Sequence, residues 1–106
     1  MMEAQIKKGI LEMCVLFTIR EKAMYGYDVM KAMRRYFPEV NESTFYAVLR
    51  RLHADGSASV TLGEESNGPT RKYYQITQPG REVLNGSIES WKRIRAAVEE
   101  MGIPLG

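Results

Sequence analysis

The chain has 106 residues, of which 44% are hydrophobic and 26% charged, and a formal net charge of +2 with a pI near 8.8. That is the size of one ordinary domain, and a balance so close to neutral means that any basic surface must come from how the charges are arranged. One cysteine, Cys14, and one histidine, His53, exclude an internal disulfide framework and a cysteine-based zinc site.

No signal-peptide order of basic, apolar and small-residue regions opens the chain. The apolar run Ile10 to Ile19 is broken by Glu12 and is too short to span a bilayer. A cytoplasmic protein without membrane contact is the expectation. A lone domain of about 100 residues buries only about 60–70% of its unfolded surface, so a core shared with a second copy would add to its stability. A homodimer is expected on that ground.

Residues 4–21 favour helix, and their apolar members (Ile6, Ile10, Leu11, Met13, Val15, Leu16, Phe17, Ile19) cover more than one face. Such a helix must be buried on two sides, of which one can be its own core and the other a partner subunit. The "YGYD" turn, Tyr25 to Asp28, leads into a second helix that carries Val29, Met30 and Met33 at helical spacing, reaches Phe37 and is ended by Pro38. A third helix is predicted from Asn41 to Asp55, with Asn41 or Ser43 as N-cap and Asp55-Gly56 as the stop. Phe45, Val48, Leu49 and Leu52 mark its buried side.

Residues 58–77 alternate Val60 with Leu62 and Tyr74 with Ile76 around the turn formers Gly63, Asn67, Gly68 and Pro69, which predicts a projecting hairpin. After Thr77 as N-cap, with Pro79 in the first turn, a long helix spans residues 78–101. Its Leu84, Ile88, Trp91, Ile94, Val98 and Met101 fall at steps of three and four, the seam of a helix that packs on another helix. The fold class is therefore mainly α with a small β-hairpin. The element order is that of a single winged helix-turn-helix domain over 1–106, an arrangement other folds share, so the motifs must decide; residues 4–21 and the long C-terminal dimerisation helix 78–101 are the expected dimer interface.

At about 100 degrees per residue, Thr44, Ala47, Arg50 and Arg51 lie largely away from the buried side of the third helix, with Tyr46 at its border. Arginine pairs bidentately with guanine or phosphate, and threonine or tyrosine hydroxyls donate to phosphate oxygens. An "RR" pair on an arbitrary helix is usually a solvated face. What counts for DNA here is a second basic pair, Arg71-Lys72, at the base of the wing, and a third group, Lys31, Arg34 and Arg35, on the second helix. Glu64 and Glu65 near the wing tip argue against deep minor-groove insertion.

"YGYD", "STFYAVLRRLHADG" (Ser43 to Gly56) and "TRKYYQITQPGREVL" (Thr70 to Leu84) together resemble the three signatures of the PadR family of bacterial transcriptional regulators. Trp91 in "ESWKRI", on a single final helix, is similar to the small-subunit branch that includes multidrug-sensing repressors. The resemblance implies a homodimer with winged-helix DNA-binding domains, joined through the first and last helices, and a repressor role relieved by a small molecule. It makes Tyr46 a phosphate-binding tyrosine of the recognition helix and Arg71 and Lys72 wing contacts. Thr44, Arg50, Arg51 and His53 complete the expected DNA-binding set. Two departures stand out: Ala47 where the family often has proline, and Gly56-Ser57-Ala58 where it often has Gly-Leu-Ile.

A lone tryptophan on an apolar helical stripe is more often core than ligand site. In the multidrug-sensing relatives, however, the matching tryptophans of two subunits face each other and sandwich flat aromatic compounds. The resemblance thus implies an effector pocket at Trp91, walled by Ile6, Ile10 and Met13, that favours planar aromatic ligands through offset stacking.

Enzymology finds little support. Cys14 lies in an apolar run without a basic neighbour, His53 has no evident nucleophile beside it, and no phosphate-cradling glycine loop or acid/base carboxylate pair is present. No cofactor and no metal are expected. The alternative to a DNA-binding regulator is a winged-helix module for protein contacts, whose third helix and wing would meet an acidic partner.

Overall fold

In the computed structural model, residues 4–63 and 70–106 are described, with residues 4–7 by backbone alone. The elements follow in the order α1 (Ala4–Thr18), β1 (Met24–Tyr25), α2 (Gly26–Tyr36), α3 (Glu42–Ala54), β2 (Ala58–Gly63), β3 (Arg71–Ile76) and α4 (Gln78–Met101). The wing-tip residues Glu64 and Glu65 and the turn formers Asn67, Gly68 and Pro69 lie outside the described residues.

Helix α1 ends at Thr18, short of the predicted Glu21. The Thr18 hydroxyl donates to the Cys14 carbonyl at 2.8 Å, and the Arg20 N–H turns in to the Phe17 carbonyl. The Ile19 carbonyl is taken by the Ile76 N–H at 3.3 Å. The sheet thus captures an acceptor near the end of the helix, and the chain leaves the helical path to supply it.

Where the sequence predicts only a turn, Met24 and Tyr25 form a short strand antiparallel to β3, with Met24 opposite Tyr74 and Tyr25 opposite Tyr73. The expected two-stranded hairpin is therefore part of a three-stranded sheet in the order β1-β3-β2. Strands β2 and β3 pair from Ala58 opposite Ile76 to Gly63 opposite Arg71. Period-2 alternation buries Tyr74 and Ile76 and turns Gln75 outward.

Asn41 caps α3 with its main chain: no side-chain cap bond forms, and its carbonyl accepts the Thr44 N–H at 3.0 Å. At the other end the Asp55 carboxylate accepts the Ser57 N–H at 3.0 Å, and Gly56 takes φ +85°, the left-handed conformation that reverses the chain into β2. Thr77 caps α4 as predicted. Its hydroxyl oxygen accepts the Gly80 N–H at 3.0 Å and its O–H donates to the Gly56 carbonyl at 2.6 Å. One side chain thereby ties the start of α4 to the end of α3.

The core gathers Leu11, Val15 and Leu16 of α1, Ile19 just after it, Val29, Met30 and Met33 of α2, and the four predicted apolar residues of α3, closed by Ala58, Tyr74, Ile76 and Leu84. Leu84 is the last residue of α4 that is fully inside, and Ile88 packs partly against the core. Beyond it the apolar stripe faces outward, with Trp91 46%, Ile94 55% and Met101 75% exposed. A 24-residue helix is about 36 Å long, and among the described residues its second half is largely exposed. No helix among the described residues is long and apolar enough to cross a membrane.

Candidate nucleic-acid interface

Helix α3 lies with Phe45, Val48, Leu49 and Leu52 in the core, which leaves Arg50 and His53 fully on the outside and Thr44 half-buried. The two adjacent arginines part company. Arg50 is exposed, whereas Arg51 is half-buried and its Nε–H donates to the Glu12 carboxylate of α1 at 2.8 Å. Adjacent helical residues point about 100 degrees apart, so one faces solvent while the other reaches the neighbouring helix.

The basic group on α2 divides in the same way. Arg34 pairs with Glu42 at the start of α3 at 3.2 Å, bracing the two helices, while Lys31 and Arg35 are exposed. Lys31 Nζ stands 5.6 Å from the centroid of the Tyr27 ring.

Arg71 and Lys72 are both exposed, but as neighbours on a strand they point to opposite faces of the hairpin. Arg71 is on the face of Tyr73, and Tyr73 stands opposite Tyr25. Their rings are 5.9 Å apart, and Tyr25 lies 6.0 Å from Tyr27. The Arg71 guanidinium carbon sits 4.8 Å from the Tyr25 ring centroid, the diagonal contact that antiparallel pairing allows.

Tyr46 joins this group from α3. Burial, and after it Glu42, Tyr25, Tyr27 and Tyr74, push its phenol above the ordinary value. Like any neutral phenol, the hydroxyl can donate a hydrogen bond at neutral pH. The result is a set of phenols and cations that links the recognition helix, the start of α2 and the root of the wing. Tyr25, Tyr27 and Tyr73 have no place in the predicted DNA-binding set. Their signal in the sequence was the dense run of tyrosines in "YGYD" and "KYY", of which the first reads as a turn.

The predicted effector residues Ile10, Met13 and Trp91 come together in an open apolar groove of about 690 Å³ between α1 and α4, together with Val83 and Ile94. The Ile6 side chain lies outside the described residues. A second apolar groove of about 640 Å³ is lined by Phe17, Tyr36, Phe37 and Ile88. Cys14 is half-buried with its thiol pushed up by desolvation, and among the described residues no cluster of His, Cys, Asp or Glu could hold a metal ion.

A family model described as "Transcriptional regulator PadR-like family" matches residues 15–86, which run from α1 through the first turns of α4. The chain belongs to the PadR-like family of transcriptional regulators. A PadR-like regulator from Bacillus cereus is 33% identical, with a TM-score of 0.80 over 96% of this chain and 100% of that one. A PadR-like transcription factor from Bacteroides fragilis is 32% identical, with a TM-score of 0.81 over 92% and 95%. An uncharacterized protein of Lysinibacillus sphaericus is 29% identical over 102 residues, 93% of this chain and 94% of that one. Membership makes this protein a DNA-binding transcriptional regulator of winged-helix fold and not an enzyme. The PadR-like match stops before Trp91, so the outward-facing half of α4 lies beyond the stretch that defines the family.

Proposed function

We propose that the protein is a homodimeric, sequence-specific repressor that binds an inverted-repeat operator and is released by a planar aromatic ligand. The observation that carries the DNA-binding geometry is the Tyr25 ring. It contacts Arg71 of the wing, Tyr73 and Tyr27, tying the wing to the start of α2. In this reading α3 enters the major groove with Arg50, Thr44 and His53 toward bases. Tyr46, Arg71 and Lys72 meet phosphates on either side, and Tyr27 with Lys31 extends the phosphate contacts along α2.

Support for the dimer comes from the exposed row Trp91, Ile94 and Met101 and from the two apolar grooves along α1, of which the first runs along α4 to Ile94. An apolar surface of that extent is covered in a stable protein. Two-fold symmetry would place the recognition helices about 34–36 Å apart, one turn of B-DNA, or a multiple of it. Trp91 and the partner's Trp91 would then face a shared cavity. A flat aromatic ligand stacked there would change the angle between the two wings and select a dimer whose spacing misses the operator.

A fluorescence-anisotropy titration against duplex DNA from upstream of the protein's own gene, at two salt concentrations, tests the proposal. The expected result is binding that resists unrelated competitor and weakens steeply with salt, because several phosphates are neutralised. No binding to that duplex or to random duplex pools at either salt would overturn it in favour of a protein-binding winged helix.

A further inference from the structure

Glu12 is the one acidic residue in the apolar run from Ile10 to Ile19, and the fold gives it a specific partner. Its carboxylate accepts the Nε–H of Arg51 at 2.8 Å, with side-chain exposures of 26% for Glu12 and 39% for Arg51. The contact joins residues 39 positions apart and bridges α1 to the recognition helix beside the packed Leu11, Val15, Val48 and Leu52. Interdigitated apolar side chains set the distance and crossing angle of two helices, and a polar contact at their flank adds a directional constraint. The short charge-assisted hydrogen bond between Glu12 and Arg51 is directional and pins the rotation of α3 on α1.

Glu12 also lies between Ile10 and Met13, two walls of the groove that holds Trp91. The helix that lines the groove is thus the helix that grips α3. We infer that Arg51 is a positioning residue, which sets the orientation of α3 on α1 through Glu12 and does not touch DNA itself. In the dimer this pair, present twice, would hold the two recognition helices in the register that the operator demands, so a displacement of α1 would be handed to α3 at Arg51. The inference rests on the reading of α3 as the DNA-contacting helix.

The test compares the wild-type protein with Glu12→Gln, Arg51→Gln and the double variant. Each would be titrated against the specific duplex and an unrelated one over a range of salt, with thermal unfolding followed in parallel. A positioning role predicts that each single variant lowers the ratio of specific to unrelated binding by about fivefold to tenfold, and that the double variant is no worse than either. The salt slope stays unchanged, because no phosphate contact is lost. Uniform weakening on both duplexes in step with lost thermal stability would reduce the pair to a structural contact and overturn the inference.

Tighter and more salt-sensitive binding by Glu12→Gln would also overturn it, since it would mean that Glu12 withholds Arg51 from a phosphate. So would a slope lowered by about one in Arg51→Gln. Absence of duplex binding by the wild-type protein is a different failure: it removes the DNA-reading assignment of α3, and this inference falls with it.

Discussion

The guanidinium of Arg71 of the wing lies over the ring of Tyr25 of the short strand β1, its carbon 4.8 Å from the ring centroid. The contact pins a cation at the root of the wing to the start of α2, on the outer face of the sheet. A partly exposed contact of this kind is worth about 0.5–1 kcal/mol. Tyr25→Ala should therefore lower DNA affinity about twofold to fivefold, whereas Tyr25→Phe, which keeps the ring, should bind as the wild type does. Equal loss in both variants, measured by anisotropy, would show that the hydroxyl matters and not the stacking.

Three side chains of the proposed interface should fail in three different ways. Arg50 is exposed on the outer face of α3, and Arg50→Ala should cost about 1–3 kcal/mol on the operator while relaxing preference at one base position. Lys72→Ala should weaken binding to all duplexes alike and lower the salt slope by about one. Tyr46→Phe removes a neutral donor, so it should cost about 0.5–1.5 kcal/mol with the slope unchanged. Salt-dependent titrations of the three variants on operator and unrelated DNA separate these outcomes, and identical behaviour would refute the assignment of roles.

Gly80 stands in the first turn of α4 where it passes the turn between α3 and β2. A Cβ built there would run into the Ser57 carbonyl oxygen and the Ile76 side chain. Since Ser57 is buried and its carbonyl accepts the Thr77 N–H at 3.1 Å, that oxygen cannot swing away without losing a buried bond. Gly80→Ala should destabilise the fold by about 1–3 kcal/mol, the usual cost of overpacking, despite alanine's higher helix propensity. Gly86→Ala, on the groove that holds Trp91 but with nothing within reach of an added Cβ in the single subunit, should do the opposite for the subunit's own fold and stabilise it by up to about 1 kcal/mol. Thermal or denaturant unfolding of the two variants checks the contrast.

The helices were legible because each has apolar residues at steps of three and four and an end signal, such as Thr77 or Asp55-Gly56, that acts through local bonds. Strand β1 was not. Two residues carry no alternation, and Met24 and Tyr25 are extended only because β3, some fifty positions later, offers a free edge. The same holds for the candidate site. The exposure of Arg50 followed from the helical wheel, but the diversion of Arg51 depends on Glu12, which belongs to another helix. Arg71 and Lys72 were found as a pair, yet their division between two faces needs the register of the strand.

Cys14 offers a check on burial at the side of α1. Desolvation pushes its thiol upward from the ordinary value. The thiolate is the reactive form, so the folded protein should alkylate more slowly at pH 8 than the unfolded chain. For an acid whose value is raised on folding, the associated stability is present below the unfolded value and is lost as pH rises through the folded one. Alkylation should therefore accelerate only in alkaline solution, as the thiol ionises and the fold loosens together. Labelling with iodoacetamide across this range, followed by mass spectrometry, would contradict the burial of Cys14 if the folded rate matched that of a free thiol.

Trp91 is the only tryptophan of the chain and is 46% exposed in the single subunit, which makes its emission a direct report on what covers α4. If a second copy supplies the missing surface, emission should be blue-shifted at high concentration and move to the red on dilution as dimers part. A planar aromatic dye entering the groove with Ile10 and Met13 should quench it, because the rings stack within contact distance, and it should also lower operator affinity. Reciprocity then requires operator DNA to weaken dye binding by the same factor. Trp91→Leu keeps an apolar side chain in the seam and should preserve the dimer while removing dye binding. Emission that ignores both concentration and dye would leave α4 without the proposed partner and Trp91 without the proposed ligand.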